Sequence, residues 1–158
     1  FAESEGIRCI VNPAPAQQVD FQQLTGADYF IPNETEAELI TRMPVHSLED
    51  ATKCANFLLR HGIKRVVLTL GVRGCLLAGP EGTELIPAFK VETVDTTGAG
   101  DAFIGSFAVF LGEGLPEKEA LTRANLYAAL STTNVGTQKS FPDRADFERE
   151  WQIHSTRL

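Results

Sequence analysis

No run of basic residues and no apolar stretch long enough to span a bilayer occurs in the 158 residues. Nucleic-acid binding driven by counterion release needs clustered Lys and Arg. A formal charge of -7 and a pI near 4.9 therefore argue against nucleic acid as a partner. They do not exclude phosphate ligands, which are usually held by a few backbone amides and a metal ion. No segment approaches the roughly 18 apolar residues of a membrane span. The opening F-A-E-S-E-G-I-R lacks a signal-peptide pattern, so a cytoplasmic protein with no membrane partner is expected. Cys9, Cys54 and Cys75 are odd in number and show no C-x-x-C spacing, which argues against a disulfide frame or a zinc site. They read as free thiols and small core fillers. His46, His61 and His154 lie far apart without metal-ligand spacing, so core or surface roles are expected of them. No internal repeat, low-complexity stretch, interior linker or initiator Met is found.

A hydrophobic fraction of 43% with 22% charged residues is ordinary for a folded domain, and the length suits one domain with a sizeable core. Phe1 to Gly6 reads as the last turn of a helix closed by Gly6, so the chain is expected to open inside a fold. Strands are expected at 7–11 (I-R-C-I-V), 28–31 (D-Y-F-I) and 66–70 (V-V-L-T-L). A hairpin is expected with arms at 75–78 and 83–86 around Gly79-Pro80-Glu81-Gly82. Asn33 with Glu36, and Ser47 with Asp50, signal two helix starts, the second helix closed by Gly62. Residues 90–94 read as a strand leading to a glycine turn. Helices should follow from Ala99 to Gly112, from Pro116 to about Thr133 and from Asp143 to Trp151. The alternation indicates an α/β fold with an open, mostly parallel sheet and helices on both faces.

The segment that carries chemistry is D-T-T-G-A-G-D at 95–101. Gly98 and Gly100 let the backbone approach a ligand and adopt dihedrals closed to other residues. The helix behind them aims free N–H groups and its positive dipole end into the gap, where charge building on a phosphate is stabilised. Asp101, at the helix entry, can take a proton from an attacking hydroxyl. The plainer alternative is a turn with Asp101 as its N-cap; the flanking Asp95, Thr96, Thr97 and F-I-G-S-F-A favour the chemical reading.

With those flanks, V-D-T-T-G-A-G-D-A-F-I-G resembles the C-terminal signature of the ribokinase-like carbohydrate kinases, of phosphofructokinase B type. N-P-A-P-A at 12–16, P-N-E-T-E-A-E at 32–38, T-L-G-V-R-G at 69–74 and G-T-Q-K-S-F-P at 136–142 agree in order and spacing, so the resemblance covers essentially the whole chain. The first two are more similar to ribose kinases than to fructokinase or adenosine kinase relatives. The resemblance implies a ribokinase-like fold and ATP-dependent phosphorylation of D-ribose to D-ribose 5-phosphate. It implies Asp101 as the base that also meets the sugar, and Gly98, Ala99 and Gly100 as an anion hole around the transferring phosphoryl.

By the same resemblance Asn33, Thr69, Gly71, Val72, Arg73, Gly74, Gly100, Asp101 and Asn125 would bind ATP. Glu36 would position Mg²⁺ through water, and Asp95, Thr97, Ser131, Asn134, Gly136 and Ser140 would hold an activating K⁺. Glu36 has an equal alternative as the capping-box partner of Asn33, and Asn125 as a solvated polar residue. Of the acidic trio Glu34, Glu36 and Glu38, only Glu36 has a motif position; the others read as a solvated helix start. Trp151 is expected to pack a terminal helix.

The family's pattern also begins with a half-domain that supplies a glycine-rich sugar motif, most ribose contacts and a dimer-forming lid, and none of these is found in this sequence. Residues 1–158 thus read as the C-terminal, nucleotide-binding portion of a single ribokinase-like domain, with a homodimer expected of the full-length protein. The missing half should leave a free sheet edge and an exposed apolar face. The 158 residues alone should bind nucleotide weakly and phosphorylate ribose poorly or not at all. Another sugar or nucleoside kinase of the family, or a non-catalytic nucleotide-binding remnant, are the alternatives.

Overall fold

The computed structural model describes residues 1–2, 4–17 and 19–155. They form two compact units, Phe1–Ile86 and Pro87–Leu158. In the first, a five-stranded sheet runs in the order β1 (Ile10–Val11), β2 (Tyr29–Phe30), β3 (Val66–Thr69), β4 (Cys75–Gly79) and β5 (Gly82–Ile86). Pairing is parallel from β1 through β3 and antiparallel across β4 and β5, so the α/β sheet is mixed. The antiparallel pairs belong to the expected hairpin, which reverses the chain within a few residues.

Two helices complete this unit, α1 (Glu34–Thr41) and α2 (Leu48–Arg60). Both start at the expected capping boxes. The Asn33 side chain accepts the Glu36 amide at 2.8 Å, while Glu36 accepts the Asn33 amide at 2.8 Å. Ser47 and Asp50 do the same for α2, with both amide bonds at 3.1 Å. Ala51, Cys54 and Leu58 of α2 are fully buried and meet Phe30, Val66, Leu68 and Leu76 of the sheet in one core. Cys54 fills that core as expected, Cys75 is also fully buried, and Cys9 is half-buried.

β1 and β2 are shorter than their apolar runs. Only Ile10 and Val11 find ladder partners, and the amide of Cys9 donates to the Asp28 carboxylate at 2.8 Å instead. β1 stands at the sheet edge, and Ile7 just before it is 54% exposed. Around Gly6 (φ 66°) the amides of Glu5 and Ile7 return to Phe1 and Ala2, the bonding of a helix's closing turn.

The second unit is helical: α3 (Ala99–Gly112), α4 (Glu117–Ser131) and α5 (Arg144–Ser155). Ala102, Phe103, Phe107, Phe110 and Leu111 of α3 are buried, as are Ala120, Leu121 and Ala124 of α4 and Phe147 of α5. Trp151 packs the terminal helix, lying 6.5 Å from Phe147 with the Arg123 guanidinium 4.4 Å over its ring. α3 leaves Gly105, Ala108 and Val109 exposed.

Residues 90–94 do not form the expected strand. A strand needs a neighbour, and the described residues of this unit include none. The amides of Val94 and Asp95 donate to the Thr132 carbonyl beyond α4, at 2.7 and 3.1 Å. Pro116 sits one residue earlier than a first-turn proline, as the N-cap of α4.

Candidate functional site

The site residues of the first unit collect at the carboxyl ends of β2 and β3, the edge at which open α/β sheets bind ligands. Thr69 donates its amide to the Pro32 carbonyl at 3.0 Å, and Asn33 and Thr69 form a parallel bridge past the ends of their strands. The two motifs therefore meet although 36 residues of numbering separate Asn33 from Thr69. Beyond Thr69 the chain makes a 3-10 turn over Gly71–Arg73, and the Leu70 amide donates to the Gly74 carbonyl at 2.8 Å. Gly71 (φ 54°) and Gly74 (φ 99°) supply the left-handed conformations that this turn requires. Val72 is 94% exposed at its tip.

Arg73 is ion-paired with Glu34, the first residue of α1. Glu34 is part-exposed, in keeping with a solvated helix start, and is paired as well. Glu38 accepts the Val45 amide at 2.8 Å and lies 3.5 Å from His46. Glu36 is 8% exposed, with one carboxylate oxygen committed to the cap of Asn33. The capping role of Glu36 is therefore real, and its second oxygen leaves room for another.

In the second unit the N-cap of α3 is Gly98, at φ 81°, and no side chain caps the helix. Asp101 is thus not the N-cap that the plainer alternative made it. It is the third helical residue and is exposed. The first amides of a helix have no partner within it; here that of Ala99 donates back to the Thr96 carbonyl at 3.2 Å, and those of Gly100 and Asp101 lie at the dipole's positive end. The two glycines differ in kind. A Cβ on Gly98 would meet Thr137 Cγ2 at 3.3 Å besides being strained by its φ, whereas a Cβ on Gly100 would meet nothing within 4 Å. Gly100 is an ordinary helical residue without positive φ, which corrects the expectation that both glycines need special dihedrals. Nothing in the described residues packs against position 100, so the space beside this helix start is open.

Asp95 anchors the turn. One of its oxygens accepts the Thr97 amide at 2.9 Å and the other the Gly136 amide at 3.0 Å. The bonds from Thr97, then that from Gly136, hold its carboxyl below the usual aspartate value. Ser140 Oγ donates toward the carbonyls of Gly136 and Thr137 at 2.7 and 2.6 Å. Asp95, Thr97, Gly136 and Ser140 therefore form one hydrogen-bonded set. The side chains of Ser131 and Asn134 bond only locally, Ser131 to the Ala128 carbonyl at 2.8 Å and Asn134 to Thr133 at 3.4 Å. Asn125 is buried and donates to the Pro87 carbonyl at 3.2 Å, which excludes the solvated alternative.

A cleft of about 270 Å³ runs along α3, with Asp101 at its rim and Gly105, Val109, Phe110, Phe141 and Phe147 among its walls. Ser106, Tyr127 and Arg144 add polar groups to a lining that is otherwise mostly apolar. The histidines take the roles expected of them: His61 stacks on Phe57 with centroids 4.1 Å apart, and His154 meets the edge of Phe89. Among the described residues no three His, Cys, Asp or Glu side chains gather as a metal cluster.

The strand-end loop and the glycine-turned helix start define an α/β protein of a particular class, and comparison with known proteins identifies it. Residues 1–144 match the model of the pfkB family carbohydrate kinases, and the chain belongs to that family. The Mus musculus ribokinase is 40% identical over 151 residues, which cover 92% of this chain and 47% of that protein. The Salmonella typhi deoxyribokinase is 39% identical over 148 residues, covering 93% and 48%. The Arabidopsis thaliana ribokinase solved with ribose and ATP gives a TM-score of 0.88 at 29% identity, over 93% of this chain and 48% of that one. The Thermotoga maritima ribokinase gives 0.84 at 37% identity, over 92% and 49%. The chain spans about half the length of the relatives it matches.

Proposed function

We propose that these residues are the C-terminal, nucleotide-binding portion of a single ribokinase-like domain in an enzyme that transfers the γ-phosphoryl of ATP to the 5-hydroxyl of D-ribose. The observation that carries this reading is the uncapped start of α3, with an exposed carboxylate at Asp101 and an empty side at Gly100. Asp101 takes the proton as the sugar hydroxyl bonds to the γ-phosphorus. The bond from that phosphorus to the bridging oxygen breaks, and ADP leaves. The amides at 98–101 meet the charge that builds on the phosphoryl oxygens. Asn33, Thr69 and the Gly71–Gly74 turn hold the phosphates and ribose of ATP, and Asn125 lines the base pocket.

Glu36 suits a water-bridged Mg²⁺, being buried with one oxygen beyond its cap. The metal, when bound, offsets the charge of the ATP phosphates. Asp95, Thr97, Gly136 and Ser140, with carbonyls near Ser131 and Asn134, suit K⁺, which would shape the glycine turn from behind. Most sugar contacts are assigned to the half of the family's length that this chain does not match.

The test is Asp101→Asn in the native gene product that carries these residues. Ribose-dependent ADP release should fall by about 10²- to 10⁴-fold, with the KM for ATP and the melting temperature unchanged. Release at the parent rate would remove Asp101 as the base. A second substrate, 2-deoxyribose, is favoured by the 39% identity to a deoxyribokinase. Comparing kcat/KM for ribose and 2-deoxyribose decides between them.

A further inference from the structure

We propose that Glu34 is the positioning residue for Arg73, holding its guanidinium where the phosphates of ATP arrive. The inference rests on the reading that the Gly71–Gly74 turn holds nucleotide phosphates. It adds a residue from a different element, one that no spacing rule singles out.

Arg73 closes a 3-10 turn whose tip, Val72, is 94% exposed and whose two flanking glycines hold positive φ. A long cationic side chain on such a turn has many rotamers open to it. Glu34 is anchored where Arg73 is not. It follows Asn33 directly, and Asn33 is fixed twice, by the reciprocal cap with Glu36 and by the bridge to Thr69. The carboxylate of Glu34 meets one terminal nitrogen of Arg73, Nη2. A guanidinium carries five N–H donors in a rigid fork, so its remaining donors can still take a phosphate oxygen in a planar approach.

The pair is 36% and 38% exposed, so water screens it. Screening removes most of the penalty that an acid beside a phosphate would impose, while the orientation of the fork is kept. Orientation therefore outweighs repulsion, and the effect belongs in ATP binding rather than in turnover.

The experiment is a double-mutant cycle in the native gene product, with KM for ATP, KM for sugar and kcat as separate readouts. Glu34→Gln should raise the KM for ATP about 1.5- to fivefold, the range of a partly exposed ion pair, and leave kcat and the sugar KM unchanged. Arg73→Ala should raise the ATP KM at least as much, and adding Glu34→Gln to it should do nothing further. If Glu34→Gln leaves or lowers the ATP KM while Arg73→Ala raises it, the positioning role is overturned and the phosphate turn stands. If Glu34→Gln has the same effect in the Arg73→Ala background, it acts through α1 and the proposal fails. If Arg73→Ala leaves the ATP KM unchanged, the reading of the turn itself fails.

Discussion

Asp95 accepts the amide of Gly136 across 41 residues, tying the glycine turn to the loop that follows α4. With Thr97 on its other oxygen, the carboxylate is bonded in its charged form and its pKa is lowered in the fold. A depressed folded pKa means that the stability it contributes is present above the unfolded value and lost as pH falls through the folded one. The ordinary value is 3.8. Urea unfolding of the parent and Asp95→Asn should therefore differ at neutral pH, with the parent more stable, and converge as pH falls below 3.8. A difference that persists unchanged at low pH would mean that the charge is not what Asp95 contributes.

Asn125 shows how a buried amide ties the start of this unit to α4, donating to the Pro87 carbonyl. Pro87 is exposed, so water can replace the lost donor. Asn125→Ala should cost about 0.5–1.5 kcal/mol in unfolding free energy. In the native gene product the KM for ATP should also rise if the residue lines the base pocket. A stability loss without a change in KM would assign Asn125 a structural role alone.

The three thiols should separate by accessibility. Burial pushes the Cys54 thiol up, against a smaller opposite effect of its Thr41 contact, and Cys75 is also buried in the core. The thiolate is the reactive form, so both should resist an aromatic disulfide reagent at pH 8. Native protein should release reagent from Cys9 first, and all three cysteines should react in denaturant. Fast reaction of Cys54 in the native state would contradict its burial.

Much of this architecture was readable because its signals are local. The caps at Asn33 and Ser47 and the span of α3 are each encoded within a few neighbouring residues. The hairpin announces itself through Gly79 and Gly82. What could not be read is non-local. No pattern in the sequence indicates that Glu34 meets Arg73, 39 positions on, and only the family resemblance groups Asp95 with Gly136, 41 positions on. Residues 90–94 look like a strand because β-branched and polar residues alternate there. Whether such a segment pairs depends on a neighbour that its own residues do not specify. The glycines at 98 and 100 have the same letter and different reasons, which only backbone angles and free space separate.

That difference yields a paired substitution. Gly98→Ala forces a side chain into a left-handed conformation, with Thr137 at 3.3 Å, and should destabilise the fold by roughly 1–2 kcal/mol. Gly100→Ala enters open space in a helix, where alanine is favoured over glycine by up to about 1 kcal/mol. Urea unfolding should therefore find Gly100→Ala as stable as the parent or more so. Phosphoryl transfer by the native gene product should nevertheless fall by about 10²-fold or more, because the methyl group occupies the space a phosphoryl group needs beside the helix amides. A stable Gly100→Ala variant with parent turnover would show that nothing approaches this backbone, and the anion hole would have to be sought elsewhere.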